Sequence, residues 1–496
     1  MFRHGEIVGS CWFLCEDAYF VDEVGDELAP SDLEYLDGLS GSLEGCALSY
    51  CVACRPVAID QVSSSSRSTY NFGTVGKTQV RRTMAERYDL VVVGAGPGGS
   101  STAYHSAKAG LNTLLIDRQE FPRDKTCGDG LMPHAASEVA LMGLADWLDE
   151  PHHGKFKGFS IYTRSAYLRQ SVPPTLHGPR GYVVKRQETD ARLLERATSA
   201  GAHLRTGVRA TDLFRGPSGR VAGLEAVNSG ESLRFEAPLV VVADGVGGFA
   251  GKGLKAHQNA VARRQYFSNL DGPDKQDLHV FITEDMNSHG AGYGWVFYLG
   301  DGKANVGAGV STAALARTGR NLKDFFDRFL EHPRLAPWLE DATPEGPPTS
   351  WSLKMGMWGA KRYDQGMMMV GDAGSMVHPI SGEGVGYALE SGRLAASWAH
   401  EAHARQDFSA SVLSGYERQL RHRRAREHLS GYALVNLVPN LMLLEPLFKA
   451  CEKDPKARLT LIEAFTGDTP VYSLLKRPRM LAKALRDGVA ERVNRA

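Results

Sequence analysis

Long apolar runs are missing from this 496-residue chain, and so is any excess of charge. No stretch of roughly 18 apolar residues occurs, which excludes a transmembrane helix. The nearest approach, residues 432–448, is interrupted by Asn436, Pro439, Asn440, Glu445 and Pro446. Lysine and arginine (57) balance aspartate and glutamate (57), which argues against a general nucleic-acid binder. No basic region followed by a long apolar stretch opens the chain, so a secretory leader is not expected. The expected location is cytoplasmic, with peripheral contact with a membrane left open.

Cysteine is scarce outside the N-terminal segment. Cys11, Cys15, Cys46, Cys51 and Cys54 crowd the beginning, and only Cys127 and Cys451 follow. Cys51 and Cys54 have zinc-like spacing, but no second pair completes it, and no metal site is expected. Residues 1–83 show no sustained periodicity, and Ser63–Ser66 is a polar run. This segment is expected to be a disordered or mis-assigned extension, with Met84 as the natural start. The remaining length suits two packed domains, and an apolar fraction of 43% is ordinary for a globular protein.

What is present begins at Tyr88. Residues 88–93 read as a short strand, and Gly94-Ala-Gly96-Pro-Gly98-Gly99 follows at once. A helix rich in small residues runs from Ser100 to Ala109, and a second strand, Thr113–Ile116, ends in Asp117. Strand, glycine turn, helix, strand and acid are the dinucleotide fingerprint in its required context. Gly94 permits the tight turn, Gly96 lets a pyrophosphate approach the backbone, and Gly99 lets the helix pack close to the strand. The helix N-terminus offers free N–H groups to phosphate, and Asp117 can accept from ribose hydroxyls.

Two later segments favour a longer cofactor, FAD. The apolar strand Leu239–Val242 leads to Asp244 and Gly245. Met367–Val370 leads to Gly371 and Asp372, then to His378, Pro379, Gly382, Glu383, Gly384 and Val385 at the start of a small-residue helix. A second acid at a strand end suits ribityl hydroxyls. The helix start behind it suits the pyrimidine end of a flavin, where negative charge gathers on reduction. No second glycine fingerprint is present for a nicotinamide, so NAD(P)H or another donor is expected to act transiently.

With these motifs the chain resembles the FAD-dependent oxidoreductases of the geranylgeranyl reductase family. These are flavoproteins with a glutathione-reductase-type Rossmann domain, related to aromatic hydroxylases and flavin halogenases. The likeness covers about residues 87–400. Its specific carriers are Phe121-Pro-Arg-Asp-Lys125-Thr-Cys127-Gly128-Asp129-Gly130 and the aromatic stretch Tyr293-Gly-Trp295-Val-Phe297. The pair Lys185-Arg186, followed by Asp190, Leu193 and Leu194, resembles the superfamily's arginine-bearing helix start. One departure is Tyr298, where that branch often has proline, which suggests a retuned pocket.

The resemblance implies an α/β fold. A Rossmann-type FAD-binding domain is expected over 84–150, 180–254 and 361–405. An interleaved α+β substrate domain on a mixed or antiparallel sheet is expected over 151–179 and 255–360, with a helical C-terminal region over 406–496. The expected cofactor-binding residues are Gly94, Gly96, Gly99, Asp117, Arg118, Lys125, Arg186, Asp244, Gly245, Gly371, Asp372, Pro379, Gly382, Gly384 and Val385. The resemblance places Arg186 near the flavin or its phosphates. Cys127, Trp295 and Phe297 are the expected catalytic residues.

Lys125 is expected to lower the Cys127 thiol pKa. The alternative for that residue is a small thiol packed beneath the flavin. Tyr293, Trp295, Phe297 and Leu299 fall on one face of a strand. Ala304, Val306, Ala308 and Val310 return on one face opposite them, as the floor of an apolar cavity or as plain sheet packing. The basic stretches Arg418–Arg426 and Leu474–Val493 read as solvated surface or as a membrane contact.

The expected substrate is an apolar small molecule or lipid. The expected reaction is reduction of C=C bonds in an isoprenoid or polyene by hydride from reduced flavin. Oxygenation is the first alternative, although Trp295-Val-Phe297-Tyr298 does not match the Trp-x-Trp-x-Ile-Pro stretch of halogenases. A cyclase with FAD as a structural wall is the second. Oligomeric state is left open.

Overall fold

A computed structural model describes residues 86–171, 181–249, 258–282, 292–300, 302–357, 361–437, 444–479, 482 and 486. The expectations for residues 1–83, and for most of the stretch after Arg479, lie outside these residues.

The centre is a six-stranded sheet in the order Tyr363–Asp364, Met367–Met369, Leu239–Val242, Leu90–Val93, Thr113–Ile116, His203–Arg205. All pairings are parallel except that of the Tyr363–Asp364 edge. Unbroken apolar strands such as Leu-Val-Val-Val suit a parallel sheet because both faces are covered. Leu90, Val92, Leu115, Leu239, Val241 and Met368 point into a core shared with helices. Those helices are Pro97–Lys108, Arg186–Ser199 and Val385–Arg405. Val91, Val93, Leu114, Ile116, Val240 and Val242 point the other way, onto Val208, Leu224 and Phe235 of a four-stranded sheet. Period-two alternation thus makes a three-layer sandwich. Helices 97–108 and 385–405 meet at their small residues: a Cβ on Gly392 would lie 2.3 Å from the Gly98 carbonyl oxygen.

A seven-stranded mixed sheet stands beside this unit, in the order Thr343–Met355, Gln258–Ser268, Lys303–Ser311, Gly292–Tyr298, Asp277–Ile282, Gly158–Thr163, Tyr167–Ser171. One face packs Ala304, Val306 and Ala308 against Phe325, Phe326 and Phe329 of the helix Leu322–Leu330. The other face packs Trp295 and Phe297 with Phe448, Ile462 and Phe465 from the C-terminal helices Leu444–Lys453 and Pro455–Thr466. The fold is therefore α/β, with a Rossmann-type layer, a mixed sheet and a helical C-terminal region. No helix among the described residues is long and apolar enough to cross a membrane.

Candidate active site

The loops that leave the carboxyl ends of the parallel strands converge on one cavity of about 390 Å³. That edge is where open α/β sheets place their ligands. Gly94 takes φ +98, a left-handed conformation that favours glycine. At Gly99 an added Cβ would sit 1.7 Å from the Gly94 carbonyl oxygen, so only hydrogen fits between helix and turn. Gly96 differs: the nearest atom to a Cβ there is Nη2 of Arg123, at 3.7 Å. The space over Gly96 is therefore open to a ligand. Asp117 accepts from the N–H groups of Ala95 (2.8 Å) and Gln119 (2.9 Å), which fixes its carboxylate at the rim.

Every residue expected in the site lines this cavity except Gly99. Gly99 shapes the turn from behind. Gly94, Gly96, Asp117 and Arg118 line the cavity with Asp244 and Gly245. So do Lys125, Arg186, Gly371 and Asp372, with Pro379, Gly382, Gly384 and Val385. Cys127, Trp295 and Phe297 line it as well.

Around Cys127 the polar groups are tied to one hub. Asn305, fully buried, accepts from Trp295 Nε1 at 2.9 Å and donates to the Cys127 carbonyl (2.8 Å) and to Asp129 Oδ2 (2.7 Å). The same Asp129 oxygen accepts from the Tyr266 hydroxyl at 2.7 Å, and its other oxygen accepts from the Arg186 N–H at 3.1 Å. The cysteine turn and the aromatic strand are thereby locked together.

Part of the wall is apolar. Leu434, Leu447, Phe448, Leu461, Ala464, Phe465, Val471 and Leu474 line it, all from the C-terminal region. The Phe465 ring meets Phe159 at 5.8 Å and Tyr293 at 6.1 Å, in edge-on contacts. The Tyr293 hydroxyl donates to the carbonyl of Ser381, which joins this end to the loop before Gly382.

Comparison with known proteins agrees with this geometry. The family model described as "FAD binding domain" matches residues 87–430. The chain belongs to the FAD-binding oxidoreductases of the geranylgeranyl reductase family. A menaquinone reductase of Mycolicibacterium smegmatis is 34% identical over 63% of this chain and 76% of its own length. A digeranylgeranylglycerophospholipid reductase of Thermoplasma acidophilum is 32% identical over 70% of this chain and 86% of its own. A solved structure from the same organism, a geranylgeranyl bacteriochlorophyll reductase-like protein, superposes with a TM-score of 0.64 at 27% identity. That match covers 82% of this chain and 98% of the other.

The residues of this flavoprotein fit FAD. The open space over Gly96 lies beside Nη2 of Arg123, whose Nη1 pairs with buried Asp190 at 3.2 Å while its buried Nε has no hydrogen-bond partner. A phosphate oxygen is the partner such a group lacks. Arg123 lies within the motif Phe121–Gly130, and its sequence position alone assigns it no role. The signal was its place shortly after Asp117, visible only once the loop folds back over the glycines.

The expected effect of Lys125 on the Cys127 thiol is corrected. Burial pushes the Cys127 thiol above its usual range, and the opposing pull of Arg186 and Lys125 does not overcome it. Lys125 itself is pushed by burial, with Arg186 adding repulsion, down to about 8, and its Nζ stands 4.1 Å over the Trp351 ring. Arg186 is not a free cation: Asp190 holds its guanidinium with two bonds, of 2.7 and 2.8 Å. Burial raises the Asp372 carboxyl, opposed by Lys125 and Arg186.

Of the two readings of the small residues in the return strand, cavity floor or plain sheet packing, sheet packing holds for Ala304, Val306 and Ala308. Ala304, Val306 and Ala308 point to the opposite face of the sheet. The partners across from Phe297 and Trp295 are Asn305 and Gly307. A Cβ on Gly307 would lie 2.1 Å from Trp295 Cζ2, so the indole lies flat on that glycine. Tyr298 lies on the opposite face of the sheet, beside His279, and does not line the cavity.

Of the arginines in the basic stretch Arg424 alone is buried, and Arg418, Arg421, Arg423 and Arg426 are exposed. Arg424 donates to Glu390 (2.6 Å) and to His134 Nε2 (2.7 Å), and pairs with Glu427 at 3.3 Å. Arg423 also reaches Glu390, at 2.6 Å. These bonds brace the helix that starts at Val385. Burial, against the pull of Arg424, pushes Glu427 up to about 7.

Proposed function

We propose that this flavoprotein saturates carbon–carbon double bonds in a polyprenyl chain carried by a lipid or quinone. The observation that carries the reading is the mixed lining of one cavity. Glycines and acids line it together with Trp295 and Phe297, which pack with Phe448 and Phe465 of the apolar C-terminal helices. The relatives' names, a reductase of menaquinone and one of a digeranylgeranyl phospholipid, support the same substrate class.

In this reading the Gly94–Gly98 turn, the helix N-terminus and Arg123 hold the pyrophosphate of FAD. Asp117 binds ribose, Asp372 binds the ribityl chain, and Gly382–Val385 face the pyrimidine edge. Bound FAD, once reduced by NAD(P)H or another donor, supplies the hydride. Trp295 and Phe297 hold the alkene in place and exclude water, which an unactivated double bond requires.

Cys127 supplies the proton to the second alkene carbon. Burial keeps its thiol protonated, which suits a donor rather than a nucleophile. The substrate gains a hydride and a proton, and solvent returns the proton to sulfur.

Leu461→Asp tests the substrate class, because it places a charge in the apolar wall. FAD should stay bound while kcat/KM for a long prenyl chain falls roughly tenfold to a hundredfold, the cost of an unpaired charge against the chain. Equal turnover of the long chain by the variant would refute the reading.

A further inference from the structure

The helix Ala410–Leu437 carries exposed basic residues on one face. Arg418, His422 and Arg426 lie exposed at successive turns, and Leu429 continues the same stripe. Arg421, Arg423 and Arg424 are committed to Glu417 and Glu390. Arg418 and Arg426 hold no ion pair among the described residues.

Leu429 is 43% exposed and Tyr472 44%, unusual for large apolar side chains in this fold. They are brought together because the Val471 N–H donates to Ser430 Oγ at 3.1 Å. Val471 and Leu474 line the apolar end of the cavity, whereas Tyr472 and Lys476 of the same short turn face outward. One turn of chain therefore separates the apolar cavity from this cationic, apolar-tipped face.

We propose that this face docks on an anionic bilayer and sets the apolar end of the cavity at the membrane. The purpose assigned to it rests on the reading that the substrate is a lipid. Arginines at this spacing match phosphate headgroups, and Leu429 with Tyr472 reach the interface, where an amphipathic ring is favoured. A nucleic acid would neutralise the arginines but leave Leu429 unused. The balanced charge of the whole chain, 57 against 57, makes this a local patch and not a general basic surface.

The test is sedimentation of the FAD-loaded full chain with phosphatidylcholine vesicles, with and without about one third phosphatidylglycerol. The chain should bind the anionic vesicles and be released by salt. Arg418→Gln with Arg426→Gln should lower partition roughly 25-fold, about fivefold for each arginine. Leu429→Ser with Tyr472→Ser should lower it as well, and both variants should keep the flavin spectrum and turnover in detergent.

Absence of binding by the parent, equal binding to neutral vesicles, or unchanged partition of both variants overturns the proposal. Partition is measured without substrate. Docking without alkene reduction would refute the substrate reading alone, and reduction in detergent without docking would refute the docking alone.

Discussion

Asn305→Leu tests whether the hub between the cysteine turn and the aromatic strand holds the site together. Leucine keeps the forked four-atom outline of asparagine, though larger, and removes every polar contact. It strands the Trp295 Nε1–H and the Cys127 carbonyl, whose bonds to Asn305 are 2.9 and 2.8 Å long. Asp129 loses one donor but keeps the Tyr266 hydroxyl and the Arg186 N–H. Each of the two stranded buried groups costs about 1–3 kcal/mol, so the variant should lose about 2–6 kcal/mol against a total of about 5–15. Asn305→Asp keeps the acceptor for Trp295 but sets a second carboxylate against Asp129, and should not rescue. Urea unfolding at saturating FAD measures the loss, and steady-state turnover reports the site. A loss under about 1 kcal/mol with turnover unchanged would refute the assignment of Asn305 as the hub.

Gly96→Val should fold and lose FAD, because its Cβ enters open space that the pyrophosphate needs; a yellow, fully loaded variant would remove Gly96 from the site. Gly99→Ala should instead fail to fold normally, since the added carbon meets backbone at 1.7 Å; circular dichroism like the parent's would contradict this. Cys127→Ala should keep FAD and slow alkene reduction. In the parent the protonated thiol is the active form and its pKa is raised. Turnover should therefore hold through neutral pH and fall only above the ordinary thiol value of about 8.5. An earlier fall, or unchanged turnover of the alanine variant, would rule the thiol out as donor.

The glycine cradle was legible because its parts are contiguous. A strand, a turn, a helix and an acid follow one another within residues 88–117, and local chemistry determines each. The apolar end was not, because Phe448, Leu461 and Phe465 are separated from Trp295 by more than a hundred residues and read in sequence as ordinary amphipathic helix. The partner of Trp295 was missed for a related reason. Strand alternation gives faces, but the register that sets Gly307 opposite Trp295 comes from the hairpin. The direction of the Cys127 shift also depended on tertiary structure. Lys125 is close in sequence, but desolvation outweighs it. Likewise Arg424 reads as surface until Glu390, on another helix, is placed beside it.

The central claim is that reduced flavin in this cavity reduces a prenyl double bond. The most direct measurement is anaerobic: photoreduce the FAD-loaded protein, add a geranylgeranyl-bearing lipid or quinone, and follow the oxidised flavin band. The account predicts reoxidation that keeps pace with loss of an alkene in the product. Flavin that stays reduced until air is admitted, and then reacts rapidly with substrate present, would contradict it in favour of oxygenation. No reaction either way would point to a structural role for FAD.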